Sequence, residues 1–157
     1  MNIKKIQSGV KIEGTVNIFL DPVKISNEDI NIITDPTKNI NNDRVFNLPG
    51  NYELNGVMIA GFNGEKYAFL IKDTISILYF VVPLPAKTIQ EIQEAFGDID
   101  CVIAPEIKDS KIFIEKLGVK IFITIIKPLK ISEFDFEKSH SIKINPKKLT
   151  RATYFLE

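Results

Sequence analysis

A chain of 157 residues with 45% hydrophobic and 25% charged side chains has the size and composition of one soluble globular domain with a substantial core. Its 20 basic and 20 acidic side chains cancel, which argues against a general attraction to nucleic acid, and no apolar run approaches the ~20 residues a membrane-spanning helix needs. Met1-Asn-Ile-Lys-Lys5 lacks the apolar stretch of a secretory leader, and the single cysteine, Cys101, reads as a small buried hydrophobe in Cys101-Val-Ile-Ala104, so a cytoplasmic protein is expected.

The first half reads as β-structure. Val16–Leu20 and Ile30–Ile33 are rich in β-branched residues, and each runs into Asp-Pro, where proline removes a ladder donor and ends a strand. Asn17, Ile18, Asp21 and Pro22 recur as Asn31, Ile32, Asp35 and Pro36; two similar strands ending in similar turns account for this more simply than a duplication. Further strands are expected at Arg44–Asn47, Gly56–Gly61, Tyr67–Ile71 and Ile75–Val81. Asn63-Gly64 and Asp73-Thr74 supply turns between three of them, so the pattern as far as Val81 reads as an antiparallel meander.

The pattern then changes. Thr88-Ile-Gln-Glu91 has the form of a capping box, Ile89, Ile92 and Phe96 share one helical face, and Gly97 provides a left-handed stop. A buried strand at Asp100–Ala104 ends at Pro105. Asp109 or Ser110 can cap a second helix that buries Phe113 and Leu117 and stops at Gly118. Val119–Ile126 is a continuous apolar run of the kind covered on both faces, and strand–helix–strand implies a parallel pair. Ser132–Lys138 reads as a short helix or an irregular loop, and Ser141–Ile144 and Ala152–Leu156 as closing strands.

Leu48-Pro-Gly-Asn-Tyr-Glu-Leu-Asn-Gly-Val57 carries Pro49-Gly50, Tyr52-Glu53 and Gly56-Val57 between two β-rich runs. With the Asp-Pro strand end at Pro22 and the later Gly97-Asp-Ile-Asp100 strand, it resembles, in order and spacing, the lactonase-like branch of the metallo-β-lactamase superfamily. The resemblance spans most of the chain. It implies a single α/β domain over residues 1–157, a reduced αββα sandwich in which two mixed sheets face each other. It also implies that Pro49, Gly50, Tyr52, Glu53 and Gly56 are a structural motif, with the glycines taking unusual backbone angles.

The same resemblance implies a metal motif, HxHxDH, after the second Asp-Pro strand. Here the three histidine positions carry Asp35, Thr37 and Ile40, and the aspartate position carries Asn39. The metal-bridging aspartate expected after Tyr79-Phe-Val is replaced by Pro83 or Val82. The last histidine is absent from Thr124-Ile-Ile-Lys127. One carboxylate with a hydroxyl and an amide makes a poor cage for a hard cation, and zinc or manganese catalysis needs three or more protein ligands with an open position. No metal and no other cofactor is therefore expected, and no catalytic residue is assigned.

Other candidates are weaker. His140, in Lys138-Ser-His-Ser141, is the only histidine and reads as a solvated loop residue rather than an acid–base group. Asp21 and Asp35 have the makings of a carboxylate pair, but each more simply caps a turn before proline. Lys143, Lys147, Lys148 and Arg151 form a modest basic cluster that reads as a solvated face.

The resulting expectation is a non-catalytic protein-binding or scaffold subunit built on a degenerate metallo-hydrolase fold, paired with itself or with an active relative. A residual lactonase- or phosphodiesterase-like hydrolase with a non-standard site ranks second, and a nucleic-acid-associated factor third. Exposed apolar residues at the former metal mouth favour the first; perturbed carboxylates in a deep pocket favour the second; a basic stripe favours the third.

Overall fold

The computed structural model describes residues 1–105, 110–126 and 136–157. Its strands are β1 (Asn2–Lys5), β2 (Val10–Glu13), β3 (Asn17–Leu20), β4 (Ile30–Ile32), β5 (Val45–Phe46), β6 (Gly50–Leu54), β7 (Val57–Phe62), β8 (Ala68–Lys72), β9 (Ser76–Tyr79), β10 (Cys101–Ala104), β11 (Ile121–Thr124), β12 (Glu137–Ser139), β13 (Ser141–Lys143) and β14 (Ala152–Leu156). The helices are α1 (Ala86–Phe96) and α2 (Ser110–Leu117).

Two mixed sheets result. The first has the order β13-β1-β2-β3-β4-β5 and the second β12-β14-β11-β10-β9-β8-β7-β6. Alternate residues of each sheet point into a shared core. Ile3, Val10, Ile12, Ile18 and Ile30 from the first meet Ile59, Phe69, Ile71, Ile77, Tyr79, Cys101 and Ile123 from the second. The other face of the second sheet, with Leu70, Leu78, Phe80, Val102 and Phe122, is covered by Ile89 and Ile92 of α1 and Phe113 and Leu117 of α2. Phe80 and Phe113 stack there at 5.4 Å between ring centroids. Both described helices thus serve the second sheet. The outward side of the first carries charges instead: Glu13 accepts from Lys4 and Lys11, and Lys11 lies over the Phe19 ring. The architecture is the two-sheet metallo-β-lactamase-like sandwich expected from the sequence, α/β and strand-rich.

Several elements depart from the sequence reading. β1 and β2 form a hairpin that was not expected; each is four residues long, too short for alternation to stand out. β3, β4 and β5 pair in parallel, so the first half is not one antiparallel meander; β1 to β3 and β6 to β9 each meander, in different sheets. β3, β4 and β5 are four, three and two residues long, too short for a continuous apolar run to mark parallel pairing. Asn55-Gly56 makes the β6–β7 turn, with φ 53° and 78°. Positive φ at both central residues is the two-residue hairpin geometry that an Asn-Gly pair favours.

The capping box does not form. α1 begins at Ala86 behind Pro85, without a side-chain cap, and Thr88 is buried in the first turn. Proline at φ −59° already presets the entry, so the helix starts before Thr88 can cap it. Its end is as expected, with Gly97 at φ 68° donating to Gln93. The Asp109 cap lies outside the described residues. So does most of Ser132–Lys138, but Glu137 and Lys138 belong to β12 and are neither helix nor irregular loop.

β9, β10, β11, β14 and β12 run parallel, and β10 and β11 form the expected parallel pair around α2. Ser76 and Asp100 fasten the starts of β9 and β10: Ser76 N donates to Asp100 at 2.8 Å, and Asp100 N donates back to Ser76 Oγ at 2.9 Å. No helix among the described residues is long and apolar enough to cross a membrane.

Candidate functional site

The parallel strands of both sheets deliver their C-terminal ends to the same end of the sandwich. The clearest link is Asp21, immediately after β3. Its carboxylate accepts from Thr34 N at 2.8 Å, from Thr34 Oγ1 at 2.7 Å and from the Tyr79 hydroxyl at 2.8 Å. Thr34 follows β4, and Tyr79 ends β9 in the opposite sheet. Asp21 adopts φ 47°, in the left-handed region that Asp tolerates better than most residues, and this aims its carboxylate between the sheets. The reading of Asp21 as a simple turn cap is thus corrected: it ties two strand ends of one sheet to a strand of the other. Tyr79 is buried, and burial, then the charge of Asp21, pushes its phenol far above the ordinary tyrosine range. Asp21 and Asp35 do not act as a pair; their carboxylates have different partners.

Asp35 belongs to a local turn. It accepts from Thr37 N at 3.0 Å and Thr37 Oγ1 at 2.8 Å, and Lys66 from the β7–β8 connection sits 3.0 Å away. The Thr37 N–H, then Lys66, lowers its carboxyl to about 2. Thr37 is thereby engaged by Asp35. Asn39 is exposed and Ile40 half-buried in the same loop. Pro83 is exposed and Val82 half-buried in the β9–α1 connection. Phe80 turns away from this end into the helix layer, and it is Val81 and Ile125 that pack toward the inter-sheet core. Thr124, buried at the end of β11, places its hydroxyl 2.5 Å from Pro105 O, joining the loops after β10 and β11.

These residues do not fit a divalent metal. The one carboxylate among the five positions, Asp35, already has a cation and two donors on it, and Ile40 and Pro83 offer no side-chain ligand. Among the described residues no three His, Cys, Asp or Glu side chains come together as a metal cluster.

Three large hydrophobic side chains stand out as exposed among the described residues: Val23 at 70%, Leu48 at 58% and Ile126 at 54%. All three lie in connections that follow parallel strands β3, β5 and β11, and so at this end of the sandwich. Val23 and Leu48 carry no signal as isolated loop residues until the topology gathers the loops, and Ile126, expected at the end of the buried run Val119–Ile126, lies instead beyond the end of β11.

The Pro49-Gly50-Tyr52-Glu53-Gly56 segment builds β6 and its turn. Gly50 has φ 137°, and the Tyr52 hydroxyl donates toward Leu48 O and Pro49 O, both at 3.1 Å, while its ring packs on Phe46 at 5.1 Å. Glu53 is exposed. Gly56 serves the turn itself: its φ is 78°, and nothing lies within 4 Å of where its Cβ would stand. His140 is exposed between β12 and β13, with Nδ1 3.1 Å from Glu157 O. Lys143, Lys147, Lys148 and Arg151 are exposed at the opposite end of the sandwich from Asp21. Cys101 is buried, and burial raises its thiol well above the ordinary range.

No protein-family model matches the sequence, and no curated protein matches it. Among solved structures, the chain is similar to one from Thermotoga maritima described as a "putative zn-dependent hydrolase of the metallo-beta-lactamase superfamily". The TM-score is 0.68 and the identity 19%, over 99% of this chain and 98% of that one. This likeness establishes the metallo-β-lactamase-like fold.

Proposed function

We propose that this protein is a non-catalytic binding or scaffold subunit, a degenerate relative of the lactonase-like metallo-hydrolases that works in the cytoplasm by recognising a protein partner, itself included. The observation that carries this reading is the make-up of the loop end. Where a metallo-hydrolase of this fold gathers histidines and aspartates, this chain presents Asp35 neutralised by Lys66, together with Thr37, Asn39, Ile40 and Pro83. Around them stand the exposed side chains of Val23, Leu48 and Ile126. Apolar side chains exposed together at one end of a domain suit recognition of another protein. A hydrolytic centre needs organised polar groups in a site that excludes water. The residual-hydrolase reading has no such group set behind it, and the basic cluster that a nucleic-acid reading would use is confined to four side chains at the far end.

The test is a panel of lactone, ester, phosphodiester and nucleic-acid substrates, each with and without added zinc, manganese or magnesium. No turnover above buffer is expected. Metal-dependent hydrolysis that persists through further purification and disappears in Asp35→Ala would overturn the proposal.

A further inference from the structure

Two sheets leave four edge strands, and they are not equally protected. At one end of the first sheet β5 is two residues long; at the other, β13 is three and ends in Lys143. In the second sheet β12 is three residues long and carries Glu137 and Lys138. Short strands and charges, lysine above all, are how folded proteins discourage edge-to-edge pairing. β6, the remaining edge, is different. It runs five residues, Gly50-Asn-Tyr-Glu-Leu54, in unbroken one-to-one register with β7, and contains no lysine, proline or bulge. Gly50, Asn51 and Glu53 are exposed, and no strand other than β7 pairs with it among the described residues.

The turn geometry fixes what this edge offers. In a two-residue hairpin the residues flanking the turn, Leu54 and Val57, exchange both backbone bonds, and the pattern alternates along the ladder. Gly50, Tyr52 and Leu54 therefore spend their N–H and C=O groups on β7. Asn51 and Glu53 direct theirs outward, two donors and two acceptors on one edge.

We propose that β6 pairs antiparallel with β6 of a second copy of this chain, about a two-fold axis at Tyr52, joining two eight-stranded sheets into one. Side-chain chemistry selects both the occupant and the register. An axis at Tyr52 sets Asn51 opposite Glu53 of the second copy, twice over, so that each amide donates to a carboxylate while the backbones exchange four hydrogen bonds. An axis at Glu53 would oppose two like charges, which cross-strand pairs disfavour. The edge is thus self-complementary, as a two-fold interface requires. This inference rests on the partner-binding reading above for its occupant but not on the absence of catalysis.

The test measures the mass of the full chain by sedimentation across a concentration series. A dimer is expected. Glu53→Pro removes an outward N–H without touching the β6–β7 ladder, so it should give a monomer with an unchanged circular-dichroism spectrum. Should proline disturb β6, Asn51→Glu, at an exposed position, serves instead: it places Glu against Glu53 of the partner and should weaken the dimer about tenfold, while Asn51→Lys should tighten it. A chain that is monomeric throughout, a dimer indifferent to both Glu53→Pro and Asn51→Glu, or an edge filled by a strand of a different protein would overturn the proposal. Turnover is read separately. A monomer without turnover overturns the pairing alone, whereas a dimer with turnover overturns the non-catalytic reading alone.

Discussion

The Tyr79 hydroxyl and the Asp21 carboxylate, 58 residues apart in sequence, meet at 2.8 Å across the interior of the sandwich. Tyr79 projects from β9 of the second sheet, and Asp21 follows β3 of the first. The same carboxylate holds the N–H and hydroxyl of Thr34. One charged group therefore sets the spacing of the two sheets at the loop end and anchors the loop that follows β4. A phenol as buried as that of Tyr79 needs a partner, and a carboxylate beside it needs donors; each satisfies the other.

This coupling is measurable by a double-mutant cycle. Tyr79→Phe should destabilise by about 1–3 kcal/mol and Asp21→Asn by a similar amount, since each leaves a partly buried partner short of a hydrogen bond. The double variant should fall short of the sum by about 1 kcal/mol or more. Urea unfolding of the four proteins checks it, and strictly additive losses would mean that the bond contributes nothing.

Alkali should act through the same pair. The folded phenol of Tyr79 is raised above the ordinary value of 10.0, first by burial and then by Asp21. A raised folded value favours the protonated form, so its contribution is complete below pH 10 and is lost as the pH rises above it. Of the four tyrosines, Tyr79 should resist ionisation until the protein unfolds. The ultraviolet absorbance of tyrosinate follows this; a Tyr79→Phe variant that loses absorbance from the ordinary tyrosine range near pH 10.0, before the protein unfolds, would contradict it.

The contrast between what the sequence discloses and what it conceals has a physical basis. Ile30–Ile33, Val119–Ile126 and Ala152–Leu156 announce themselves because buried strands select β-branched and aromatic side chains locally, and Gly97 announces a stop because few other residues accept its φ. Asn55-Gly56 is equally local and readable as a hairpin turn, but the Pro-Gly-x-Tyr-Glu motif around it suggests a structural loop and hides β6. The parallel order β3-β4-β5 is not local, nor is the Asp21–Tyr79 bond: both depend on which strands the chain brings together. The candidate site divides the same way. Asp35, Thr37, Asn39, Ile40 and Pro83 are legible one by one, whereas the gathering of Val23, Leu48 and Ile126 at one end follows only from topology.

Asp35 offers a direct check on the loop that follows β4. Its carboxyl is lowered from 3.8 to about 2, chiefly by the Thr37 N–H and then by Lys66. A lowered folded value means that its contribution is present above pH 3.8 and is lost as the pH falls toward 2. Lys66→Ala should move the Asp35 titration upward without restoring the ordinary value, because the Thr37 donor remains. Carboxyl chemical shifts report this, and an Asp35 that titrates normally in the unaltered protein would show that the turn is not formed.

Protein purified without chelator should hold no stoichiometric zinc, manganese or iron, since Asp35, Thr37, Asn39, Ile40 and Pro83 do not supply a ligand set. Elemental analysis decides the matter. About one metal per chain, lost in Asp35→Ala, would show that the loop binds a cation after all.

Gly50 begins the unprotected edge strand, and its backbone is the most constrained part of the Pro-Gly-x-Tyr-Glu motif. At φ 137° a side chain is strained whatever the space, and a Cβ would also stand 3.3 Å from the Tyr52 hydroxyl. Gly50→Val should therefore cost about 1–3 kcal/mol, as backbone strain plus displacement of the Tyr52 ring from Leu48, Pro49 and Phe46. Gly56→Ala isolates the backbone term, because φ is 78° but nothing lies within 4 Å; it should cost about 1–2 kcal/mol. Asn51→Ala, between them and exposed, should shift stability by less than about 0.5 kcal/mol at concentrations where the chain is monomeric. Thermal and urea melts of the three variants test the order. An unchanged transition for Gly50→Val would mean that this glycine adopts an ordinary extended conformation and that Tyr52 is free to move.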